Sequence, residues 1–215
     1  MENVKKKKAK KALIIAGIVA VIAIILWMMR GVIVMGLLVF SSVTAKVEVN
    51  EDISKYQDYI GENALPDYAV KWGMSEVIFP EKITDDMNVQ DYKMVYYNPW
   101  DAQYLSYLVV QYDETSYEEE LARLKVYPQM DYIGYYGAQG FDEKYELAAM
   151  MSDSYQGFVY ALTDNKDTII YVEIIFCNYF MDLDYQKYIN EEYLPIGFDA
   201  TSDNPYKQEK MKNRP

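Results

Sequence analysis

The clearest pattern in the chain is a run from Ala12 to Met29 that no charged residue interrupts. As a helix rising about 1.5 Å per residue it covers roughly 27 Å, close to the hydrocarbon thickness of a bilayer. A cluster of lysines (Lys5, Lys6, Lys7, Lys8, Lys10 and Lys11) precedes it, and Trp27 and Arg30 close it. Basic residues stay on the cytoplasmic side and amphipathic aromatics mark interfaces, so the N-terminus is expected in the cytoplasm and the remainder outside. A second apolar run, Val32 to Phe40, follows Arg30. One spanning helix over 12–40 would measure roughly 43 Å, so the second run is expected in the outer interface or packed on the domain. The alternative is a signal peptide cleaved after Ala45, because Val43, Thr44 and Ala45 suit a signal peptidase; the apolar region is long for such a segment.

Beyond this anchor the period changes. Glu51 to Ile60 reads as a short helix capped by Asn50 and ended by Gly61, and residues 62–91, with Pro66, Gly73 and Pro80, read as loop. Lys93 to Tyr97 and Tyr104 to Tyr112 read as a hairpin, followed by a helix that opens on the capping-box spacing Thr115 to Glu118, carries Tyr117, Leu121 and Leu124 on one stripe, and stops before Pro128. Gly157 to Leu162 and Thr168 to Phe180 form a second strand pair, with a helix from about Asp184 to Leu194. Val95 and Tyr96 precede Tyr107 by the same spacing with which Val159 and Tyr160 precede Tyr171, which suggests a duplicated strand-turn-strand-helix unit. The expected fold is α+β: a single N-terminal transmembrane helix, then one domain with an antiparallel sheet covered by helices on one face. Its parts are a basic stub (1–11), the anchor with its interfacial extension (12–40), the domain (46–199) and a polar, disordered tail (200–215).

Composition narrows the chemistry. The formal net charge is −12 although the anchor region is basic, so the folded part is more acidic than the whole and repels nucleic acid. There is no histidine and only one cysteine, Cys177. Histidine-based triads, histidine-ligated zinc and intramolecular disulfides are thereby excluded, and carboxylate, tyrosine, lysine or serine chemistry remains. No lipoprotein cysteine lies near the anchor and no Asn-x-Ser/Thr sequon occurs, which fits a bacterial envelope protein.

Tyrosine, with 23 copies, is the theme of the outer domain, and its apolar ring with a polar tip suits sugar, peptide or protein surfaces. Trp100, beside Asn98 and Pro99 at a hairpin tip, is the first expected contact residue. Tyr171, Glu173 and Tyr179 follow, on the more polar face of the second long strand, with Tyr135 and Tyr136 between Gly134, Gly137 and Gly140. That glycine run lacks the lysine and hydroxyl of a phosphate loop and misses the dinucleotide spacing. No catalytic, metal or cofactor residue is assigned: Asp199, Asp203 and Asn204, and the turn Asp164 to Asp167, miss the calcium-loop pattern. The expected function is a membrane-anchored extracytoplasmic binding or interaction module, whose partners are the lipid bilayer and either a protein or an extracellular ligand; the alternative is an envelope glycan hydrolase using paired carboxylates.

Overall fold

The computed structural model describes residues 2–69, 71, 78–127 and 131–213. Gly73 and Pro128, used above as loop and stop signals, lie outside them. Contacts divide the chain into two units, residues 1–45 and 46–215. The first is one helix, α1 (Glu2–Thr44), within which Ile14–Thr44 has mean hydropathy 2.6 and is long and apolar enough to cross a membrane. The second apolar run, Val32 to Phe40, is part of this same helix. Gly31 and Gly36 cost the helix only about 1 kcal/mol each, and no proline intervenes to stop it. The helix closes on hydroxyls: Ser42 Oγ donates to Leu38 O at 3.0 Å and Thr44 Oγ1 to Phe40 O at 2.7 Å.

The second unit is built on β1 (Glu48–Asn50), β2 (Asn88–Tyr97), β3 (Gln103–Gln111), β4 (Glu146–Asp153), β5 (Gly157–Thr163) and β6 (Thr168–Ile175). They form one antiparallel sheet of order β1-β2-β3-β6-β5-β4, in which two three-stranded meanders join along β3 and β6. Helices α2 (Tyr56–Tyr59), α3 (Pro66–Ala69), α4 (Glu114–Leu124) and α5 (Pro205–Lys212) complete it. The chain is therefore α+β, with two differences from the expected layout.

First, both faces are covered. Val95, Leu105, Tyr107, Phe158, Tyr160, Val172 and Ile174 pack under irregular chain and 3-10 turns that supply Tyr136, Met181, Leu183, Tyr193 and Phe198. Tyr92, Met94, Tyr104, Leu108, Val159, Ala161 and Tyr171 pack under Tyr56, Ile60, Tyr68, Phe79, Tyr117 and Leu124, from α2 to α4 and the loop between. The apolar set of β6 thus meets turns, and its more polar set meets the helices. Strands buried on both faces lose the alternation that exposes one face to water, which is why β3 and β5 read as continuous runs. Second, the shared tyrosine spacing does not mark equivalent positions. Val95 and Val159 face opposite sides of the sheet, as do Tyr107 and Tyr171.

Local corrections have local causes. Asp52, not Asn50, caps the first turn by accepting from Ser54 N at 3.0 Å, and Asp113 outcompetes the Thr115 box by accepting from Ser116 N at 2.9 Å. The helix expected over 184–194 is two 3-10 turns, Tyr185–Lys187 and Glu191–Tyr193. The strand expected to reach Phe180 ends at Ile175, and Asn178 and Tyr179 turn the chain with φ of 69° and 65°. The C-terminal segment is ordered as α5. Asn204 is 1% exposed; its Oδ1 accepts from Lys207 N at 2.6 Å, its Nδ2 donates to Tyr179 O at 3.0 Å, and Pro205 sits in the first turn. Asn204→Ala is expected to cost about 1–3 kcal/mol and to release amide protection in α5 before the rest of the domain, as read by hydrogen exchange.

Candidate functional site

One end of the sheet gathers most of the residues singled out from sequence. The β2–β3 turn (98–102), the β4–β5 turn (154–156) and the chain leaving β6 all lie there, because Tyr104 pairs with Ile175 and Gly157 pairs with Ile175. Trp100, half exposed at 50%, donates from Nε1 to Asp182 Oδ2 at 3.3 Å, and Gln103 Nε2 donates to the same oxygen at 2.8 Å. Asn178 Nδ2 donates to Asp101 Oδ2 at 2.9 Å, which ties the hairpin tip to the turn that carries Tyr179. Tyr179 meets Tyr155 edge-on at 4.9 Å between ring centroids and Tyr206 of α5 at 6.2 Å; Tyr206 in turn meets Tyr135 at 5.9 Å and Tyr136 at 4.8 Å. Such pairs fix ring orientation, and Tyr136 OH donates to Ser154 O at 2.8 Å. Lys210 lies 5.2 Å over Tyr206 and Lys207 lies 3.5 Å over Phe180.

The glycine run has a packing explanation. Gly137 and Gly197 lie back to back, and a Cβ on Gly137 would meet Gly197 O at 2.5 Å. The segments bond through Gln139 N to Ile196 O at 2.9 Å and Asp199 N to Tyr136 O at 2.7 Å. Tyr136 itself is 1% exposed and belongs to the core. Beside this seam lies a cleft of about 360 Å³ lined by Tyr136, Gln139, Asp199, Tyr206 and Glu209. A larger open cleft of about 670 Å³ holds Asp142, Glu191 and Glu192, all exposed, with Glu192 bonded to Lys144.

Three of the sequence choices are corrected: Tyr136, in the core as described, and two on β6. Tyr171 and Glu173 are both 0% exposed, because α2 to α4 cover the face on which they stand, and neither offers a contact surface. Tyr171 OH donates to Glu120 Oε1 at 2.5 Å and shares a 2.7 Å hydrogen bond with Tyr112 OH, and Arg123 Nε holds Glu120 Oε2 at 2.7 Å. Glu173 accepts from Lys71 Nζ at 2.9 Å and from Ser106 Oγ at 3.1 Å. Conversely, Tyr155, Tyr206 and Lys210 stand at this end of the sheet without having been expected as contacts from the sequence. The Asn204-Pro205 pair was the available signal for α5, whereas nothing local marked Tyr155.

Burial, above all, drives the phenols of Tyr112, Tyr136, Tyr160 and Tyr171 above their ordinary value of 10.0. The folded state therefore keeps protons that the unfolded chain releases, so stability is intact below pH 10 and falls as pH rises past it. The denaturant midpoint is expected to decline above that pH, with the phenolate absorbance of these four buried tyrosines appearing only as the domain unfolds. Cys177, 3% exposed, has its thiol pushed up to about 12 by burial first and then by a hydrogen bond to Asp101. It is expected to resist a maleimide in the native state and to react once urea unfolds the domain.

Among the described residues no group of three acidic or cysteine side chains could hold a metal ion. The sheet end is thus a cluster of aromatic rings, with Lys207 over Phe180 and Lys210 over Tyr206. No protein family, curated protein or solved structure matches this chain.

Proposed function

We propose that this protein is a membrane-anchored interaction module: a lysine-rich stub in the cytoplasm, one span within Ile14–Thr44, and an acidic, tyrosine-rich domain outside the cell membrane that binds a protein partner or an extracellular ligand, as a subunit of an envelope complex. The observation that carries this reading is the helix Ile14–Thr44, apolar and 0% buried, on a chain whose other unit fills its own two cores. A helix of this length and apolarity matches what a bilayer covers. The lysines on one side set the orientation.

The test is crosslinking in cells, purification of the tagged full-length chain in mild detergent, and quantification of co-purifying proteins against an untagged control. A near-stoichiometric partner supports the module; its absence, together with no binding in glycan and small-molecule screens, contradicts it. The hydrolase alternative rests on the Asp142, Glu191 and Glu192 cleft. Glycan cleavage that Glu191→Gln abolishes would establish that alternative.

A further inference from the structure

The tip of the β2–β3 hairpin holds a large apolar side chain in the open. Trp100 is 50% exposed, and among the described residues no other aromatic ring and no cation packs against its indole. Hydrogen bonds that begin in the sheet set its orientation instead. Gln103, on β3 and 1% exposed, accepts at Oε1 from the amides of Asp182 and Leu183, both at 3.1 Å, and donates from Nε2 to Asp182 Oδ2 at 2.8 Å. One buried amide thus fixes both the main chain and the carboxylate of Asp182. The same Oδ2 then accepts from Trp100 Nε1 at 3.3 Å. Fastening the hairpin does not require an indole, since Asn178 Nδ2 already bonds Asp101 Oδ2 at 2.9 Å.

Asp182 also lines a cleft of about 250 Å³ with Asp184, Gln186, Thr201 and Ser202, all of them exposed. Asp184 is paired with Lys187 at 2.9 Å. Among the described residues, Asp182 Oδ1, the Gln186 side-chain amide and the Ser202 hydroxyl make no hydrogen bond. The cleft therefore offers a carboxylate acceptor, an amide that both donates and accepts, and a hydroxyl.

We propose that Trp100 and this cleft bind a neutral oligosaccharide, with one sugar ring on the indole and its hydroxyls bonded to Asp182, Gln186 and Ser202. This rests on the reading of the domain as a binding module and names its ligand class. A pyranose has the matching chemistry: C–H faces that an aromatic ring covers, and rim hydroxyls that donate to a carboxylate and exchange bonds with amides and alcohols. Bonds to a carboxylate are the stronger kind, and one already held in place costs little ordering on binding. The cleft is smaller than the roughly 300–1,000 Å³ of pockets that enclose a drug-sized ligand, which suits one ring of a chain lying on the surface. The acidic domain repels anionic glycans. A cationic peptide is the rival, because Asp182 would attract it; the amide and hydroxyl, which an ammonium group does not need together, favour the sugar.

The experiment is calorimetric titration of the full-length chain, in a detergent without a sugar headgroup, with hexasaccharides of glucose, mannose, galactose and N-acetylglucosamine, and with hexalysine. Saturable binding of at least one hexasaccharide is expected, weakened about tenfold or more by Trp100→Ala and by Asp182→Asn, with Trp100→Phe retaining more affinity than Trp100→Ala. Asparagine keeps an oxygen for Trp100 and Gln103 while removing the charge. Gln186→Ala/Ser202→Ala, which removes no hydrogen bond within the domain, is expected to weaken binding several-fold at an unchanged melting temperature. Binding of none of the sugars, or affinity that neither Trp100→Ala nor the Gln186/Ser202 double variant alters, overturns the proposal. Binding of hexalysine alone, lost in Asp182→Asn, overturns it in favour of a cationic peptide. A near-stoichiometric protein partner in cells without sugar binding would reject this inference and keep the module reading, so the two fail separately.

Discussion

Glu173→Gln is expected to destabilise the domain of residues 46–215 by about 3–5 kcal/mol, the largest effect of any single change that keeps the side-chain shape. Glu173 and Lys71 are 0% and 2% exposed, on central strand β6 and on the chain between α3 and β2 respectively. Nζ reaches both carboxylate oxygens, at 3.2 and 2.9 Å, and Ser106 Oγ adds a third donor at 3.1 Å from the neighbouring strand. Two charges taken out of water balance only while both are present. An amide in place of the carboxylate removes the charge that both Glu173 oxygens bring to the ammonium, which stays buried beside the Tyr104 ring, 5.5 Å away. Lys71→Met should cost a similar amount by stranding the carboxylate. The double variant Lys71→Met/Glu173→Leu, which removes both charges and fills the volume, should recover most of the loss. Denaturant unfolding followed by tryptophan fluorescence reads all three. Additive losses in the double variant would show that the pair does not act as a unit.

Gly157→Ala is expected to cost about 2–5 kcal/mol for a different reason. Gly157 opens β5 at φ +118°, and a Cβ there would meet Ile174 O at 2.1 Å, a backbone atom of the adjacent strand. The left-handed backbone alone penalises an L side chain by about 1–2 kcal/mol, and the clash forces β5 and β6 apart where Phe176 N also bonds Gln156 O at 2.7 Å. Gly134→Ala is the control, since nothing lies within 4 Å of its Cβ position and only the φ of +86° opposes it. A melting temperature for Gly157→Ala equal to that of Gly134→Ala would contradict the packing explanation.

The elements with a strong local period were legible from the chain. The apolar N-terminal helix, the β2–β3 hairpin, α4 and the core of β6 all lie where the sequence pattern puts them, although α1 begins ten residues before Ala12 and β2 five before Lys93. What escaped was decided by distant contacts. Strand β4, with its run of Ala148, Ala149, Met150 and Met151, has the composition of a helix and becomes a strand only because β5 pairs with it. Strand β1 is three residues long and exists through its pairing with Met94, Val95 and Tyr96. Tyr171 and Glu173 look like surface residues because they alternate with Ile170, Val172 and Ile174. Their burial depends on Lys71, Glu120 and Arg123, which no local pattern connects to them. The aromatic shelf was half legible: Trp100, Tyr135 and Tyr179 were named individually, but their convergence depends on Tyr206 and on the cap at Asn204.

The membrane-anchored, outward-facing arrangement is tested most directly by protease accessibility in sealed vesicles prepared from cells in both orientations, after alkaline carbonate has stripped peripheral proteins. The expected result is a chain that stays with the carbonate-washed membrane and whose domain, residues 46–215, is cut by added protease in right-side-out vesicles and protected in inside-out ones. Release of the chain by carbonate, or cutting of the domain only in inside-out vesicles, would contradict it.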